Sequence, residues 1–133
     1  MFVMKKAALV LCMIGASLTA AAANDGEFPF GAEMTLDARP MPGSKRIPNL
    51  EIGDKGQVIL ELWCKGGKGQ FSVANDTIVF VPGPMEERQC APDRAVADDD
   101  LLAALADASS WRRQGNSVQF VGPKVLRFRI NTN

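Results

Sequence analysis

Short segments in which apolar and polar residues alternate predict β-strands in the first half of the chain. Residues 30–37 place apolar side chains at every second position, the pattern of a half-buried strand. Residues 47–52 predict a short strand that Pro48 restricts to an edge or a bulge. Residues 57–63 are apolar on both faces and rich in β-branched and aromatic side chains, which predicts a central strand.

Glycine, asparagine and proline then indicate turns. The glycine-rich residues 64–69 predict a hairpin turn, and residues 70–73 and 77–81 predict a hairpin. Asn75 and Asp76 connect its strands, because Asn and Asp tolerate the positive φ of a tight turn. The sequence Pro-Gly-Pro at residues 82–84 predicts a break in the sheet.

One helix follows this break. Pro92 and Asp93 suit a helix entry, and the acidic triplet at residues 98–100 complements the positive end of the helix dipole. Apolar side chains recur at helical spacing and predict one buried face. These side chains are Val96, Leu101, Leu102, Leu105 and Ala108.

The C-terminal part predicts two further strands. Ser109 and Ser110 end the helix, and residues 111–113 lead to a turn at residues 114–116. Alternation in residues 117–120 and 126–130 predicts the strands. About seven strands and one helix without repeated strand-helix-strand units predict an α+β fold, a curved antiparallel sheet or partial barrel with the helix packed against it.

The N-terminal residues are typical of a secretory signal. Lys5 and Lys6 precede an apolar run at residues 7–18 and small residues up to Ala23. This run is shorter than the roughly 20 residues that span a membrane as a helix. We expect a signal peptide at residues 1–23, cleavage after Ala23, a single domain at residues 24–133 without stable membrane insertion, and a periplasmic or secreted location.

Charge and cysteine content narrow the class of protein. The chain has 15 basic and 15 acidic residues, and no basic patch indicates nucleic-acid binding. Cys12 follows Leu11 inside the apolar run, where a lipid-modified cysteine would need a small residue before it. Cys64 and Cys90 remain after cleavage, and an oxidising compartment favours a disulfide between them. A redox pair and a metal site are the alternatives, but the spacing is not Cys-x-x-Cys and the chain contains no histidine.

The lack of histidine also excludes Ser-His and Cys-His nucleophile systems. Glu86, Glu87 and the triplet at residues 98–100 could serve an enzyme that uses carboxylates alone, although a turn and a helix dipole explain them better. The segment 65–69 lacks the ending of a phosphate-binding loop. We therefore expect no catalytic residue, metal or cofactor.

Two tryptophans and several arginines are candidates for ligand or partner contact. Trp63 and Trp111 could stack a ligand, and core packing is the alternative. The arginines could form a basic face for an acidic partner, whereas solvated strand faces have the same appearance. They are Arg88, Arg112, Arg113, Arg127 and Arg129.

Two cysteine-containing segments resemble a known family. Residues 62–71 read LWCKGGKGQF, residues 88–92 read RQCAP, and a helix with paired leucines and a closing hairpin at residues 111–130 follow. This arrangement resembles the META domain family, which includes the heat-inducible HslJ-like proteins. The resemblance implies a non-enzymatic envelope or secreted domain associated with stress tolerance.

The leading hypothesis is therefore an exported META-type domain that acts by protein interaction, with another envelope protein as its partner, or by envelope stress support. The alternative is a small periplasmic inhibitor or carrier, such as a lysozyme-inhibitor-like barrel, which also places an aromatic residue beside a disulfide cysteine.

Overall fold

The computed structural model describes residues 26–132, so the predicted signal peptide and Cys12 lie outside the described residues. The described part contains eight strands and one helix. In chain order these are β1 (Glu33–Leu36), β2 (Asn49–Ile52), β3 (Gln57–Glu61), β4 (Gly66–Ala74), β5 (Thr77–Met85), α1 (Pro92–Asp107), β6 (Ser110–Gln114), β7 (Ser117–Val121) and β8 (Val125–Ile130).

The eight strands form a ring-like antiparallel sheet. Each strand pairs with its neighbour in sequence, and β8 returns to pair with β1, where Met34 lies opposite Ile130. Strands β5 and β6 have the shortest pairing in the ring, with Thr77 opposite Ser110 as the one paired position. The predicted α+β fold with one helix against an antiparallel sheet is confirmed, with one more strand than expected.

Aromatic side chains fill the inside of the ring. Phe71 and Phe120 stack with their ring centroids 5.3 Å apart, and Phe128 meets Phe120 edge-on at 5.6 Å. Phe28, from the segment before β1, packs edge-on against Trp111 at 5.3 Å. Period-two alternation produces this core, because every second residue of a strand faces the same side of the sheet.

Helix α1 begins with Pro92 in its first turn and packs against β5 and β8. Leu101 and Leu105 join the core, as their helical spacing predicts. The prediction is wrong for Val96, which is 58% exposed. Asp98 lies on the buried face instead, and it is fully buried.

The glycine-rich turn predicted at residues 64–69 is wrong beyond Lys65, since β4 begins at Gly66. Glycine serves here for close approach between strands. A Cβ atom on Gly67 would lie 2.7 Å from the carbonyl oxygen of Pro84, and one on Gly69 would lie 2.5 Å from the Phe80 ring. The missing side chains let β5 and its inward Phe80 pack tightly against β4.

One further prediction about the sheet is wrong. The Pro-Gly-Pro sequence at residues 82–84 does not break it, because β5 continues to Met85. Proline has no backbone N–H to donate, so it is tolerated on the side of a strand that has no hydrogen-bonded neighbour, and β5 pairs with β6 only at Thr77. The additional strand is β6 at residues 110–114, which forms the first half of the closing hairpin expected at residues 111–130. The predicted tight turn is confirmed, since Asn75 has a φ of 53°.

Candidate functional site

Arginine side chains gather on the outer surface of the last three strands. Inward-facing Trp111, Phe120 and Phe128 fix which residues of β6, β7 and β8 point outward. We call this surface the arginine face, and it consists of Arg112, Gln114, Ser117, Gln119, Arg127 and Arg129.

Strand register brings these residues together. Arg112 lies opposite Gln119, and Gln119 lies opposite Arg127, so the three form one row across the sheet. Ser117 lies between Gln114 and Arg129 in the next row. Because neighbouring strands are about 4.8 Å apart, the two arginines at the ends of the first row are about 10 Å apart at the backbone.

The three arginines of the arginine face, Arg112, Arg127 and Arg129, are exposed. With the Gln119 amide oriented to suit its neighbours, its oxygen accepts hydrogen bonds from Nη2 and Nε of Arg127 at 3.1 and 3.3 Å. Nε of Arg129 lies 3.9 Å from Oδ1 of Asp37, and the Arg129 side chain is 73% exposed. Within residues 26–132, Arg112 has no ion pair or side-chain hydrogen bond.

A shallow pocket of about 480 Å³ lies over part of this face. Amide, hydroxyl and guanidinium groups line it together with the carboxylate residue Asp37. Guanidinium groups bind carboxylates and phosphates through paired hydrogen bonds, so the lining suits an anionic group. The residues that line the pocket are Asp37, Gln114, Asn116, Ser117, Gln119, Arg127 and Arg129.

The other residues singled out from the sequence lie elsewhere. Trp111 is 5% exposed, and its Nε1 donates to the backbone oxygen of Asn75 at 2.7 Å, so it packs in the core. Trp63 is half-buried in the turn between β3 and β4. Arg113 donates to the backbone oxygens of Glu27 and Gly115.

Arg88 belongs to an ion-pair network beside this turn. Its guanidinium pairs with Glu61 at 3.3 Å and with Glu86 at 2.5 Å, and it donates to the backbone oxygen of Cys64 at 3.0 Å. Glu61 also pairs with Arg46. Hydrogen bonds to Glu61 and then Glu86 raise the pKa of Arg88 above its ordinary value. The charge of Arg88 is thus balanced by carboxylates of this chain, unlike that of Arg112.

The disulfide and Asp98 fix the turn between β3 and β4. Cys64 and Cys90 are bonded, with their Cα atoms 5.9 Å apart. The Asp98 carboxylate accepts the backbone N–H of Trp63 at 2.7 Å, of Cys64 at 3.2 Å and of Lys65 at 2.8 Å. The assignment of Asp98 to the helix dipole is therefore wrong, since it binds the turn.

Helical spacing was the signal that could have identified Asp98. It precedes Leu101 and Leu105 by three and seven residues, which places it on the same face of α1. Asp99 and Asp100 are exposed, as is Glu87. Within residues 26–132 no three metal-ligating side chains cluster.

The META domain family model matches residues 31–129 of this chain. The chain belongs to the META domain family. The match extends from the segment before β1 to the penultimate residue of β8 and includes both disulfide cysteines. The resemblance inferred from residues 62–71 and 88–92 is thereby confirmed.

A solved structure shares the fold of this META domain. It is the NMR structure of a protein from Burkholderia xenovorans, with a TM-score of 0.65 and 15% sequence identity over 78% of this chain and 84% of that one. No curated protein sequence matches the chain. In the described part of the chain, no helix has the length and apolar content needed to cross a membrane.

Proposed function

We propose that this META domain is exported and supports the cell envelope under stress by binding an acidic partner, another envelope protein, without catalysing a reaction. The observation that carries the proposal is the row formed by Arg112, Gln119 and Arg127. It presents guanidinium donors to solvent that no carboxylate of residues 26–132 pairs with at close range.

The disulfide supports a location outside the cytoplasm. Cys64 and Cys90 are both half-buried and not fully shielded from solvent, so cytosolic reductants could reach them, whereas an oxidising compartment maintains such bonds. The signal-like residues 1–23 agree with this location. The link to envelope stress comes from the family resemblance.

The use of the acidic residues favours binding over catalysis. The Asp98 carboxylate accepts hydrogen bonds from three backbone N–H groups, and Glu86 is paired with Arg88. A general acid or base needs a proton to exchange with a substrate that it can reach. A buried carboxylate that holds a turn is poorly suited to this task.

The carrier alternative has less support. A carrier of this architecture needs an open interior, and Phe71, Phe120 and Phe128 fill the interior of this ring. Inhibition of lysozyme by the purified domain is a direct assay for the inhibitor alternative.

The test is a charge reversal of the arginine face in living cells. A strain that lacks the gene is complemented with wild type, with R112E/R127E, or with K55E/K68E, and its survival under heat or detergent stress is measured. Lys55 and Lys68 are exposed and lie on other strands or turns, so the control makes the same change in net charge. We expect K55E/K68E to restore survival and R112E/R127E to fail at equal export and stability. Full rescue by R112E/R127E would contradict the proposal.

A further inference from the structure

We propose that the arginine face binds an extended acidic segment of a partner protein in which one apolar residue is followed by acidic residues two and four positions later. This inference rests on the proposed function and specifies the partner. Its basis is β8, whose outward side chains are Val125, Arg127 and Arg129, at every second position.

The spacing of β8 matches that of an extended peptide. Residues rise about 3.4 Å each along an antiparallel strand, so outward side chains follow one another at about 6.8 Å. A peptide in the same conformation has the same repeat. When it lies over β8 and runs in the same direction, its residues i, i+2 and i+4 therefore meet Val125, Arg127 and Arg129 together.

The positive charge of the arginine face is complementary to a peptide segment that carries carboxylates. The chain as a whole is balanced, with 15 basic and 15 acidic residues, yet the arginine face has three arginines, and among the described residues Asp37 is the one acidic residue that lines its pocket. Gln119 holds Nε and Nη2 of Arg127, which leaves Nη1 for a ligand and fixes the orientation of the side chain. A preoriented guanidinium loses less conformational freedom when it binds a carboxylate.

The apolar end of the face favours a protein segment over a simple anion. Val125 is 56% exposed and lies opposite Val121 of β7, which is half-exposed. These two side chains form a small apolar patch next to the row of arginines. Inorganic phosphate or an anionic polysaccharide would gain no binding energy from this patch, whereas an apolar side chain of a peptide would cover it.

The experiment compares three heptapeptides by titration into the mature domain, observed through backbone amide signals in nuclear magnetic resonance. The matched peptide is TVTDTDT, the shuffled peptide TVDDTTT has the same composition, and TVTNTNT lacks the charges. We expect the matched peptide to bind at least fivefold more tightly than either, with shifts confined to β6–β8.

Variants then test each contact. R127Q should weaken the matched peptide about tenfold, the loss of roughly one charge-assisted pair, and V125T should weaken it about threefold without changing the affinity for inorganic phosphate. K68Q, on the outer surface of β4, should change neither.

Each result bears on one level of the proposal. Equal binding of matched and shuffled peptides would overturn the extended acidic segment. Tighter binding of phosphate or an anionic polysaccharide than of any peptide, lost in R127Q and kept in V125T, would also overturn it while the arginine face remained an anion site. Failure of every anion to shift β6–β8 would overturn both this inference and the proposed function.

Discussion

Replacing Asp98 with alanine should destabilise the domain more than any other change of an acidic residue in α1. The carboxylate is fully buried and accepts three successive backbone N–H groups, those of Trp63, Cys64 and Lys65. Alanine leaves all three donors without their acceptor. The disulfide to Cys90 still connects the turn between β3 and β4 to the segment just before α1.

The magnitude follows from the cost of these donors. A buried donor that loses its partner costs about 1–3 kcal/mol. The three residues of the turn are only half-buried, so water reaches part of the vacated space and the lower end of that range applies. Alanine also removes the cost of burying a charge. We expect a loss of about 2–4 kcal/mol in the free energy of unfolding.

Asparagine at this position separates shape from hydrogen bonding. Oδ1 of Asp98 serves Trp63, and Oδ2 serves Lys65. An amide retains one acceptor and turns its NH₂ group toward the other N–H. Asp98→Asn should therefore cost about 2 kcal/mol although its volume is unchanged.

Urea denaturation of the oxidised mature domain, followed by tryptophan fluorescence, measures these values. Asp99→Ala is the matched control, because Asp99 is the exposed neighbour on the same helix, and it should change stability by less than about 0.5 kcal/mol. A loss below about 1 kcal/mol for Asp98→Ala would refute the argument that the carboxylate holds the turn.

Three further changes test other parts of the structure. C64S/C90S opens a loop with a sequence separation of 26 residues and should lower the unfolding free energy by about 3–3.5 kcal/mol, measured against the oxidised wild type in urea. Trp111→Phe leaves the Asn75 carbonyl without its indole donor and should cost about 1–2 kcal/mol in the same assay. Gly67→Ala forces β4 away from β5 and should lower stability by about 1–3 kcal/mol, seen as a reduced melting temperature by circular dichroism.

The sequence predicted those parts of the fold that depend on local periodicity. Alternation identified β3 and the strands at residues 117–120 and 126–130, and helical spacing with Pro92 identified α1. The number of cysteines and the expected oxidising compartment predicted the disulfide between Cys64 and Cys90. Each of these inferences uses only neighbouring residues or a property of the whole chain, so none depends on knowing the partner strand.

The errors arose where the partner strand decides the structure. The glycine-rich residues 66–69 look like a turn in isolation, but Gly67 faces Pro84 and Gly69 faces Phe80 at distances that exclude a Cβ atom. The prolines in β5 look like a break, but they lie beyond its pairing with β6. Asp98 was read with its acidic neighbours, although its environment comes from a turn more than 30 residues earlier.

The candidate site, too, was predicted only where local sequence decides it. Arg127 could be selected as a member of a basic face because it alternates with apolar residues, and Arg112 could be selected by residue type alone. Their arrangement in one row with Gln119 requires the register of three strands. Arg88 and Trp111 were candidates for partner contact by residue type. In the structure Arg88 pairs with Glu61, and Trp111 donates to the backbone oxygen of Asn75. No local sequence pattern reveals these contacts.

Photo-crosslinking in intact cells tests the role of the arginine face most directly. A photoreactive amino acid replaces Gln114, which is exposed on the arginine face, or Ser72, which is exposed on the outer surface of β4. We predict a crosslinked partner from position 114 that disappears when R112E/R127E is combined with it, and no such product from position 72. The same product from both positions, or a product at 114 that persists in R112E/R127E, would contradict the account.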